Sequence, residues 1–173
     1  MKTIATISEL EALYDDASPA SLSKVTQVIT PMYRAWIEAS RFCILSTVGN
    51  EGTDATPRGD NGPVVRITDP KTLMMPDWRG NNRLDSLRNI VTDPRISLMF
   101  MIPGERNLVR INGTATLTAD HGLCTSFEKK TCIPEPSSSL RLRNYISNAP
   151  KPSCDQAFGT ERMRCSTFQQ RAI

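Results

Sequence analysis

The sequence predicts a mainly β fold with some α: an antiparallel, meandering sheet of barrel type preceded by short helices. Three observations predict it. FCILSTV at 42–48 and ISLMFMI at 96–102 are apolar runs of strand length, rich in β-formers. Turn signals follow them at hairpin distances. Before residue 40, by contrast, the chain shows caps, prolines at helix starts and apolar residues three and four apart.

Ser8 and Glu11 in ISELEALY have the spacing of a capping box, which predicts a short helix through Tyr14. Ser18-Pro19 and Thr30-Pro31 repeat a cap followed by proline. Proline is pre-shaped for the first helical position, so helices are predicted from Pro19 to about Val28 and from Pro31 to Ala39. In the latter, Tyr33, Trp36 and Ile37 form one stripe, which reads as core-facing.

From Phe42 the period changes to that of strands. Phe42 to Val48 and Asp54 to Pro57 flank the turn Gly49-Asn50-Glu51-Gly52, and Val64 to Thr68 and Thr72 to Met75 flank Asp69-Pro70-Lys71. A helix capped by Asn81 or Asn82 is predicted to run to about Val91 and to stop at Asp93-Pro94. Ile96 to Ile102, the turn Pro103-Gly104-Glu105, and Leu108 to Leu117 make a third hairpin. Six such strands favour a barrel.

Length and charge narrow the function. A chain of 173 residues holds one domain with room for an appendage. Residues 1–128 carry 13 basic and 15 acidic side chains, whereas residues 129–173 carry 8 and 3, so the excess positive charge lies in the tail. The front therefore lacks the basic, aromatic-interleaved face of a nucleic-acid module. Apolar runs are too short to cross a bilayer and MKTIATISELEALYDD has no secretory apolar region, which points to a cytoplasmic protein away from membranes. Five cysteines share no C-x-x-C spacing and fit neither a disulfide framework nor a metal site, and Cys43 reads as a small buried hydrophobe. With His121 the single histidine, no His-based dyad or triad is available.

The candidate site is the stretch from Thr53 to Arg88. It gathers Arg58, Asp60, Arg66, Asp77, Arg79 and Arg83 among glycines and prolines between strands. Arginine offers a planar fork to phosphate, and glycine lets the backbone come close. The plain alternative is a set of solvated loops with ordinary surface ion pairs. Asp85 and Arg88, three apart on a helix, could simply pair with each other.

PRGD at 57–60, MPDWRGNNRLDSL at 75–87, and IPG at 102–104 followed by VRINGTA at 109–115, in that order, resemble the pyridoxamine 5'-phosphate oxidase-like, FMN-binding split β-barrel superfamily, and within it a bacterial subfamily of flavoproteins. The likeness runs without a gap from Phe42 to Leu117 and extends to ISELEALYDDASPASLSK at the N-terminus. It implies an antiparallel split β-barrel with N-terminal helices, and a homodimer with FMN in grooves at the subunit interface. Carried over by position, it makes Arg58 the strand arginine on the flavin phosphate, Pro76 and Asp77 the neighbouring strand end, Asn82 and Arg83 the start of a phosphate-binding helix, and places Arg110 near the flavin ring or the dimer seam. Asp60 and Asp77 would then orient arginines or receive ribityl and ring hydrogen bonds. The implied activity is a flavin-dependent oxidoreductase acting on a small substrate. The alternative is a flavin-binding module without turnover, or a degenerate dimerising remnant.

The resemblance divides the chain into an FMN-binding domain over 1–128 and an irregular tail over 129–173 that replaces the family's last strand. Read two nucleotides later, a back-translation of IPEPSSSLRLRN and YISNAPKPSCDQAFG permits text like the missing strand and C-terminus. A frameshift near residues 128–131 is the expectation drawn from this. Its consequence would be an exposed sheet edge and weakened FMN binding.

Overall fold

The computed structural model describes residues 3–78 and 82–127, together with the backbone of 139–148. Three helices come first: α1 (Ile7–Glu11), α2 (Pro19–Leu22) and α3 (Pro31–Ala39). The capping box of α1 lies two residues earlier than expected, since Thr6 accepts from the Glu9 amide while Glu9 accepts from the Thr6 amide. Both T-x-x-E and S-x-x-E are present there, and the earlier one forms. α2 stops after four residues instead of reaching Val28. α3 starts and ends as predicted, with Thr30 accepting from the Tyr33 amide and proline at its first position.

Strands β1 (Phe42–Gly49), β2 (Gly52–Gly59), β3 (Arg66–Asp69) and β4 (Thr72–Pro76) follow as two antiparallel hairpins. Then come α4 (Asp85–Thr92), β5 (Arg95–Met101), β6 (Val109–Thr118), the short α5 (His121–Thr125) and β7 (Ser139–Asn148). The order across the sheet is β2-β1-β5-β6-β7-β4-β3, with every pairing antiparallel.

Over 139–148, β7 corrects the expectation of an irregular tail; the rest of 129–173 lies outside the described residues. It occupies the slot between β6 and β4 and pairs with both. Ladder bonds are made by backbone N–H and C=O groups, which every non-proline residue carries. Residues 137–149 are free of proline between Pro136 and Pro150, and Leu140 and Leu142 alternate with Arg141 and Arg143. That alternation is a strand signal, shortened by Asn144.

The core lies on one face of the sheet. Leu45, Leu98 and Ile111 stand opposite one another across β1, β5 and β6, and Cys43, Phe100 and Val109 form the next such row. All six are buried. Tyr33 and Ile37 of α3 join this cluster, Trp36 packs against it, and α4 adds Ile90. Fully burying a side chain of this size contributes about 1.5–3 kcal/mol, so this cluster dominates the stability of the fold.

Candidate functional site

Strand β2 is the edge from which the site is built. Its Asp54, Thr56 and Arg58 are half-buried while Thr53, Ala55, Pro57 and Gly59 are exposed. Because side chains alternate along a strand, the first three share one face, and their partners Thr47, Leu45 and Cys43 place it on the core side.

At the far end of this face, Arg58 Nη1 donates to Asp77 Oδ1 at 2.5 Å, just beyond the end of β4. Arg58 Nε is buried and has no partner among the described residues. The pair sits beside a hollow of about 180 Å3 walled by Pro57 to Asp60 on one side and by Val64, Met75, Pro76 and Trp78 on the other. Asp60 Oδ1 accepts from the Gly62 amide at 3.0 Å and its Oδ2 from Trp78 Nε1 at 3.2 Å. Burial pushes the thiol of Cys43 up to about 12, against the lowering effect of Arg58's charge. It is therefore a neutral core group, not a nucleophile.

At the other end of the face, Ser86 of α4 donates to Asp54 Oδ2 at 2.7 Å, Thr56 donates to the same oxygen at 3.1 Å, and the two hydroxyls lie 2.5 Å apart. These bonds, led by that of Ser86, hold the Asp54 carboxyl below its ordinary range. They dock the helix onto β2.

Of the predicted residues, Arg58, Pro76 and Asp77 come together. Asn82 and Arg83 do not join them in that hollow, nor do they begin the helix. α4 starts at Asp85 with Leu84 as its uncapped N-cap, and Asn82 has a left-handed φ of 59°. Arg83 lies before the helix and pairs with Asp85 at 2.8 Å, so Asp85 is held by Arg83 and an anion at this helix start would meet its negative charge. Arg110 is opposite Met99 on β6, flanked by the buried Val109 and Ile111, and so faces away from the side that carries Arg58. Asp77 accepts from Arg58, and Asp60 accepts from the Gly62 amide and Trp78 Nε1.

Residues missed by the sequence reading are Asp54, Thr56 and Trp78. The signal for the first two was present: in TDATPRGD, polar residues recur at every second position through Asp60. Trp78 had no local signal, because its partner Asp60 is 18 residues away. Among the described residues there is no cluster of metal-ligating side chains, and no helix is long and apolar enough to cross a membrane.

No curated protein matches the chain. Solved structures share its fold at low identity. A variant of HupZ from Group A Streptococcus is 18% identical over 70% of this chain and 99% of its own, with a TM-score of 0.56. A Lactobacillus delbrueckii protein proposed as a pyridoxamine 5'-phosphate oxidase is 19% identical over 71% and 97%, also at 0.56. General stress protein 26 of Bacillus anthracis is 15% identical over 65% and 89%, at 0.51. The family model for pyridoxamine 5'-phosphate oxidase matches residues 29–141, from two residues before α3 into β7, which takes in both walls of the Arg58 hollow. This chain, an antiparallel split β-barrel with N-terminal helices, belongs to the pyridoxamine 5'-phosphate oxidase family.

Proposed function

We propose that the protein binds FMN through its phosphate at Arg58 and works as a flavin-dependent oxidoreductase on a small substrate, as a cytoplasmic homodimer. The observation that carries this is Arg58 itself. It is a half-buried guanidinium beside a hollow, and its buried Nε has no partner among the described residues. A buried donor without a partner costs about 1–3 kcal/mol, and an anionic oxygen is the acceptor that repays it best. Family membership supports flavin as the source of that anion.

FMN, when bound, supplies the redox chemistry. The chain's own residues bind and position. Arg58 holds the phosphate, Asp77 fixes the guanidinium plane, and Pro76 with Trp78 keeps water from the arginine. Arg83 and Asn82 are a second place for phosphate contact only if Arg83 leaves Asp85. Arg110, on the opposite face, is assigned to the dimer seam.

A second reading, a flavin-binding module without turnover, draws on the lining of the Arg58 hollow. Neither histidine nor cysteine lines it, and a carboxylate already occupies Arg58.

Purified protein tests both. The expected result is flavin absorbance, or a rise in melting temperature on adding FMN, with Arg58→Ala weakening FMN about tenfold to a hundredfold while the protein stays folded. Colourless protein with no FMN-dependent shift would overturn the proposal. Flavin that binds but is not reduced by NADH or NADPH would favour the second reading.

A further inference from the structure

A larger hollow adjoins the first, and the flavin reading places nothing in it. It has a volume of about 450 Å3 and shares Asp60, Pro76 and Trp78 with the Arg58 hollow. That volume is within the range of small-molecule sites, roughly 300–1,000 Å3. We propose that it binds an aromatic carboxylate, with the acid group on Arg66 and the rings lying toward Trp78.

Among the described residues of the lining, charge is carried by Glu38, Asp60 and Arg66. Both carboxylates are already engaged. Glu38 pairs with Arg34 at 3.2 Å, and Asp60 accepts from the Gly62 amide at 3.0 Å and from Trp78 Nε1 at 3.2 Å. Arg66, by contrast, has no acidic partner among the described residues. Its guanidinium lies over the Phe127 ring, 3.9 Å from Cζ to the centroid, and donates from Nη1 to Ser126 Oγ at 2.9 Å and from Nη2 to the Ser126 carbonyl at 2.6 Å. These neutral contacts fix the plane of the group and leave its charge unmatched. A guanidinium also has an N–H on Nε and a second one on each terminal nitrogen, so donors remain for a further acceptor.

The shape of the hollow sets the rest of the ligand. Asp60, Pro76 and Trp78 mark the end that joins the Arg58 hollow, whereas Arg66 and Phe127 line the larger hollow alone and lie away from that junction. Between them the wall is apolar, with Val65 and Ile67. A carboxylate at the Arg66 end therefore keeps its distance from Asp60, while a flat ring system covers the apolar wall and reaches the tryptophan. A cation would have to compete with Arg34 for Glu38 and would meet Arg66 unpaired. A phosphate would bring a second negative charge close to Glu38 and Asp60, with no second cation on the described lining to receive it. A neutral ring of the same shape would use the walls only.

The test titrates the full chain by calorimetry at neutral pH and low salt with 2-naphthoate and, separately, with its uncharged isostere 2-naphthamide. Saturable binding of both is expected, with the carboxylate about tenfold tighter, the scale of one partly exposed charge-assisted contact. Arg66→Gln should bring the carboxylate down to the level of the amide. Arg66 is an exposed residue, so this variant is expected to fold. The unaltered protein supplies a second reading: raising salt from about 0.05 to 0.5 M should weaken the carboxylate and leave the amide unchanged. No saturable binding, equal affinity for the two probes, or a preference that survives in Arg66→Gln would overturn the inference. Competition between naphthoate and FMN would overturn it too, by making the hollow part of the flavin site. Failure of the flavin reading leaves this test intact, because the titration is made on protein that holds no flavin.

Discussion

Arg58 and Asp77 tie one edge of the sheet to the far side of the barrel: Arg58 belongs to edge strand β2, Asp77 follows β4, and their charged groups meet at 2.5 Å. An incoming phosphate has to share this guanidinium with the carboxylate. Asp77→Asn removes the competing charge while keeping the shape. We expect FMN, or inorganic phosphate as a simpler probe, to bind about three- to tenfold tighter to this variant, the effect of one partly screened like-charge contact. Weaker binding in a fluorescence titration would show that the charge of Asp77, and not only its acceptor oxygen, is needed to hold Arg58 in place.

Ser86 links α4 to β2 through Asp54. Ser86→Ala leaves Asp54 with Thr56 alone in this cluster, and should destabilise the protein by about 1–3 kcal/mol in urea unfolding. A change within error would show that Thr56 suffices.

Acid should remove stability from two aspartates. Asp93 accepts a two-pronged contact from Arg95 and is held at about 2, against an ordinary value of 3.8, and Asp54 is also depressed, chiefly by Ser86. A carboxyl whose pKa is lowered on folding contributes stability above its unfolded pKa, and the contribution is lost as pH falls through the folded pKa. The melting temperature should therefore decline between about pH 4 and pH 2. In Asp93→Asn the decline should be shallower, and an unchanged slope would refute the assignment.

Gly49 ends β1 beneath α4. A Cβ there would stand 2.2 Å from Asn89 Oδ1, and Asn89 is not free to swing away without releasing Thr47, to which its Nδ2 donates at 3.1 Å. Gly49→Ala should cost about 1–3 kcal/mol, the range for overpacking. Adding Asn89→Ala should recover part of that loss. Additive losses in the double variant would show that the clash is not the cause.

Legibility of the fold follows the range of the forces involved. α3 was readable to the residue because Thr30, Pro31 and the stripe of Tyr33 and Ile37 act within a few residues of each other. β1, β5 and β6 were readable because alternation and turns are local too. The start of α4 was misread: Asn82 looks like a cap, but its left-handed backbone makes a turn and the helix begins at Asp85. β7 was missed because its place depends on the free sides of β4 and β6, distant in sequence.

The sequence by itself determined strands β1 to β6 in outline, the α3 helix with its core-facing stripe, and the burial of Cys43, since each follows from periodicity, caps and turns. Tertiary structure alone decided which charges meet. It set Asp77 on Arg58, gave Asp60 to Trp78, placed Arg110 on the opposite face and folded Arg66 over Phe127. Such pairings join residues 18 to 61 positions apart, and only the curl of the sheet brings them within reach of a hydrogen bond or a ring contact.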